Sequence, residues 1–171
     1  MPRFELREST RQLTSYAGLS LIGQCCEAAQ VAVVLDRRIP VSAGMTTGDL
    51  FKSVVGLITL GKNDFEAIEP FRTDRFFREA LDIGKVPSSE WLRQRLDAKG
   101  AALREHTDEL SLRLLERTEA PVSAHKGFVC LDFDTFTMDN SGTKKEEVSR
   151  TYQGFDGYTP IAAYLGNAEF P

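Results

Sequence analysis

The feature that most constrains this chain is a change of hydrophobic period near Pro121. Before it, apolar residues recur at helical spacing; after it, they fall in short β-rich runs broken by turns. The pattern predicts an α+β chain, with a helical region over 1–120 and a strand-bearing region over 121–171. Within the first, Leu19, Ile22, Cys26 and Ala29 mark one helix, and the run from Val31 to Leu35 a second that ends before Pro40. Thr47 is the expected N-cap of a third helix, with Leu50, Val54, Leu57 and Ile58 as its apolar stripe and Gly61 as its stop. Asn63 is expected to cap a short helix closed before Pro70, and Thr73 and Asp74 to start another that carries Phe76, Phe77 and Leu81. Ser88 or Ser89 caps a helix with Trp91, Leu92 and Leu96 inside. Gly100 is expected to end that helix, with a separate amphipathic helix over 101–117. Residues 1–14 read as a polar lead-in.

In the second region, residues 127–134 read as a strand, 139–142 and 154–157 as turns, and 144–150 as a loop or strand edge. Residues 158–165 read as a further strand, with Pro160 at its edge or among its first residues.

A chain of 171 residues can bury the core of one medium domain or two small ones. With 42% apolar and 27% charged residues it reads as an ordinary globular protein. A net charge of −4 argues mildly against a free-standing DNA-binding module, although a local basic face can act within an acidic protein. No apolar run approaches the roughly 20 residues that span a bilayer, and the first residues lack the apolar segment of a secretory signal. The expected setting is cytoplasmic, with no membrane partner. Cys25, Cys26 and Cys130 have the spacing of neither a disulfide framework nor a zinc site, and read as small apolar residues in a reducing compartment. His106 and His125 lack a nucleophile at sensible spacing and read as surface or loop residues. Residues 154–157 form a turn rather than a phosphate cradle.

The chemistry lies in Val129-Cys130-Leu131-Asp132-Phe133-Asp134-Thr135. Strand alternation puts Asp132 and Asp134 on one face, about 7 Å apart, and Val129, Leu131 and Phe133 on the other. The apolar face can pack onto a helix layer. Two like charges side by side call for a cation or a proton if they are withdrawn from water. The alternative is plain: both aspartates lie on the wet face of an edge strand. For DNA contact, Arg93, Arg95 and Lys99 lie on or just beyond the helix that follows the turn at 84–87, a helix-turn-helix-like arrangement. Lys144, Lys145 and Arg150 form a second basic set, interrupted by Glu146 and Glu147. Both sets also read as solvated surface charge.

Several stretches, in order along nearly the whole chain, resemble bacterial insertion-sequence DDE transposases of the group 1 DDE-domain type. They are Pro2-Arg3-Phe4-Glu5-Leu6, residues 13–19, Gly61-Lys62-Asn63-Asp64-Phe65-Glu66-Ala67-Ile68-Glu69, residues 76–81, 86–89 and 92–97, residues 139–146, and Gly157-Tyr158-Thr159-Pro160-Ile161 through Gly166. The catalytic domain of that group opens with a Leu-Asp-x-Asp strand, here Leu131-Asp132-Phe133-Asp134. The resemblance implies an RNase-H-like fold in which three acidic residues bind two Mg²⁺ ions and cut DNA at transposon ends. Asp134 is the first choice for the initial acid and metal ligand, and Asp132 the second. Members of the group are much longer, and Asp139, Asp156 and Glu169 do not match their later acids. The chain is therefore expected to be the front part of a truncated transposase, inactive alone and weak in Mg²⁺ binding. Its implied partner is transposon-end DNA, with a second copy or a full-length transposase as a further one. The alternative is a non-enzymatic repressor that occupies DNA ends or dimerises. Two strands without the rest of their sheet are expected to leave residues 127–171 marginally stable.

Overall fold

The computed structural model describes residues 14–62, 64–119, 122, 124 and 126–166. The polar lead-in before residue 14, the cap at Asn63, the boundary residue Pro121, His125 and Glu169 lie outside the described residues. The chain divides into two compact units, Met1–Glu119 and Ala120–Pro171. It mixes helix with small antiparallel sheets, as an α+β chain does.

In the first unit, helix α1 (Leu19–Ala28) and helix α2 (Val31–Arg38) are separated by Gln30 in the left-handed conformation, φ 56°. Arg37 and Arg38 fall in the last turn of α2, where cations complement the helix dipole. Helix α3 (Thr47–Thr59) is capped one residue before the expected position: the Thr46 hydroxyl accepts from the Asp49 amide at 3.1 Å. Thr47 instead donates its hydroxyl to the Ile39 carbonyl at 2.6 Å, tying α3 to the end of α2. Gly48 lets the two helices touch, since a Cβ there would lie 2.7 Å from the Ala32 Cα.

The segment after α3 is a 3-10 helix, Glu66–Thr73, that runs through Pro70 rather than stopping before it. Proline's fixed φ lies within the 3-10 range, so the turn loses only the amide that proline lacks. The Asp64 carboxylate accepts from the Ala67 amide at 2.8 Å at its start. Asp74 caps helix α4 (Arg75–Ala80) by accepting from the Phe77 amide. Phe77 stacks on Phe71 with ring centres 4.6 Å apart, and Tyr16 meets Phe71 edge-on.

Helix α5 (Ser89–Arg117) begins as expected, with Ser88 accepting from the Trp91 amide. It does not end at Gly100; one helix of 29 residues replaces the two expected. A lone glycine costs a helix about 1 kcal/mol, and the good helix formers on both sides outweigh it. Leu92, Leu103 and Leu110 are its buried residues. Leu19, Leu35, Leu50, Ile68, Phe77, Leu81 and Leu92 are all essentially inaccessible and make up the centre of the core. Among the described residues no single helix is long and apolar enough to cross a membrane. The bent pair α1–α2 qualifies by length and composition together, but Leu19, Cys26, Val31, Val34 and Leu35 are spent on this core.

The second unit contains strands β1 (Leu131–Thr135), β2 (Met138–Asp139), β3 (Ser149–Arg150), β4 (Asp156–Tyr158) and β5 (Ile161–Leu165). β1 pairs antiparallel with β5, Asp132 opposite Tyr164 and Asp134 opposite Ala162. β4 lies between β2 and β3 in a separate antiparallel sheet. The first expected strand, 127–134, is thus shorter at its start. The second, 158–165, is two strands in different sheets, split at Thr159 and Pro160, where proline supplies no ladder donor. Residues 149–150 of the charged stretch do form a short strand. Asn140, almost fully buried, holds the turn after β2: its amide donates to the Asp156 carbonyl and its side-chain nitrogen to the Met138 carbonyl.

Candidate functional site

Asp132 and Asp134 are alternate residues of β1, so their side chains leave the same face of the β1–β5 pair, about 7 Å apart. Directly opposed residues share a face, which places Tyr164 beside Asp132 and Ala162 beside Asp134. Every residue of β1 is exposed. The opposite face carries Leu131, Phe133, Ile161, Ala163 and Leu165. On that face Phe133 and Ile161 are each 69% exposed.

Carboxylate oxygens are the donors a hard divalent cation takes. Among the described residues, however, no group of three or more His, Cys, Asp or Glu side chains is placed to hold a metal ion. Asp132 and Asp134 give this face two exposed carboxylates, where the resemblance implies a set of three. Asp139 is engaged elsewhere: its carboxylate accepts from the Ser141 amide at 2.8 Å, and that bond holds its pKa below the usual value. Asp156 pairs with Arg150.

The basic candidates are mostly held by their own unit. Arg93 is ion-paired with Glu66 and lies over the Phe65 ring at 5.7 Å. Arg95 stacks on the Trp91 ring at 4.9 Å. Lys99 is half-buried further along α5. The link from α4 to α5, residues 81–88, is about twice the three to four residues of a helix-turn-helix turn. In the second unit, Lys145 donates to the Asn140 side-chain oxygen at 2.8 Å, while Lys144 is exposed in the loop between β2 and β3.

Two features escaped the sequence reading. A hollow of about 420 Å³ lies where α3 and α5 begin, lined by Arg72, Lys85, Thr46, Asp49, Ser88 and Trp91. In its wall Asp49 accepts from the Gly84 amide, and next to it Glu69 accepts from the Ser89 amide at 2.7 Å. The second feature is Lys52, nearly fully buried beside a groove of about 650 Å³ that Cys26, Glu27, Glu79 and Asp82 also line. Its ammonium donates to the Asp82 carbonyl at 2.8 Å and lies 3.7 Å from the Asp82 carboxylate. It is a satisfied tie between α3 and the left-handed turn after α4, and burial raises the neighbouring Cys26 thiol above its ordinary pKa. Neither feature carries a sequence pattern, since each assembles from distant segments.

Comparison with protein-family models, with curated proteins and with solved structures found no match to this chain.

Proposed function

We propose that this chain is the front part of an insertion-sequence DDE transposase that binds transposon-end DNA and does not cut it alone. Its second unit is, on this reading, the opening of an RNase-H-like domain. The observation that carries the reading is the placement of Asp132 and Asp134 on one exposed face of a strand paired antiparallel with the next long strand. Such a face offers the first acid of a two-metal centre, Asp134 before Asp132. Two-metal cleavage takes a third acid, and among the described residues none joins this pair. Mg²⁺ affinity is then weak.

The test pairs binding with cleavage. Purified chain is mixed with terminal-repeat DNA and with scrambled DNA at several salt concentrations, because phosphate contacts make affinity salt-dependent. Preferred binding of the repeat without Mg²⁺-dependent nicking is the expected result, unchanged by Asp132→Asn and Asp134→Asn. Equal binding of both DNAs overturns the DNA-end reading; robust nicking overturns the inactivity.

A further inference from the structure

We draw no further inference here: the strongest candidate, the exposed apolar face of the β1–β5 pair around Leu131, Phe133, Ile161 and Leu165, carries nothing because nothing in the structure shows what covers it.

Discussion

Gly23 and Gly100 both lie inside helices, and they play opposite parts. A Cβ at Gly23 would run into the Ala80 carbonyl, so α1 and α4 approach as they do only because that position is bare. Nothing lies within 4 Å of a Cβ at Gly100. Gly23→Ala should therefore destabilise by about 1–3 kcal/mol, through forced separation of packed helices. Gly100→Ala should stabilise by about 0.5–1 kcal/mol, through helix propensity. Urea midpoints of the two variants measure both signs, and a destabilising Gly100→Ala would contradict an open position there. Two carboxyls set opposite pH dependences. Burial raises the Asp49 pKa above 3.8 despite the Gly84 amide and Lys52, so its contribution is present below 3.8 and is lost as pH rises through the folded value. The Ser89 amide, with Arg72, lowers Glu69 below 4.5, so its contribution is present above 4.5 and is lost as pH falls through the folded value. Asp49→Asn should remove the decline on the rising side, and Glu69→Gln the decline on the falling side. Stability curves from about pH 3 to 7 distinguish them.

At the scale of elements, the continuity of α5 is the point where local reading and tertiary structure part. Gly100 resembles a stop because glycine is common just past helix ends, but no left-handed residue or competing cap follows it. The exposed Ala101 gives a direct test. Ala101→Pro should cost about 3 kcal/mol or more if one helix runs through, with loss of helical circular dichroism. A near-neutral result would restore two helices, because proline is tolerated in a first turn. Most helices were legible from apolar spacing and from capping residues such as Asp74 and Ser88, whose hydrogen bonds are local. The shared face of Asp132 and Asp134 was legible for the same reason, since alternation is a property of the backbone. The split of residues 158–165 between two sheets was not, because it depends on which distant strand each half meets. Arg93 and Arg95 read as free cations in sequence; the partner of one lies a whole element away in Glu66, and the other folds back on Trp91.

Across the whole molecule, the two units differ in how they stabilise themselves. The first closes a core of large side chains around Phe77, Leu35 and Leu92. The second has two small sheets and leaves Leu131, Phe133, Ile161 and Leu165 between 53% and 69% exposed on one face. Two-stranded sheets are marginal in water, and an exposed apolar patch beside open strand edges favours association. Residues 14–119 alone should therefore unfold in one cooperative transition with the midpoint that unit shows in the full chain. The second unit should unfold before the first, because its small sheets bury little apolar surface. Phe133→Thr combined with Ile161→Thr keeps β-compatible side chains at exposed positions of both strands, and should leave the transition of the first unit unmoved. Thermal unfolding of the full chain and of the double variant measures both. A first-unit transition that moves with the double variant would contradict separate cores, and a shifted transition in the 14–119 fragment would mean that the helical unit does not stand on its own core.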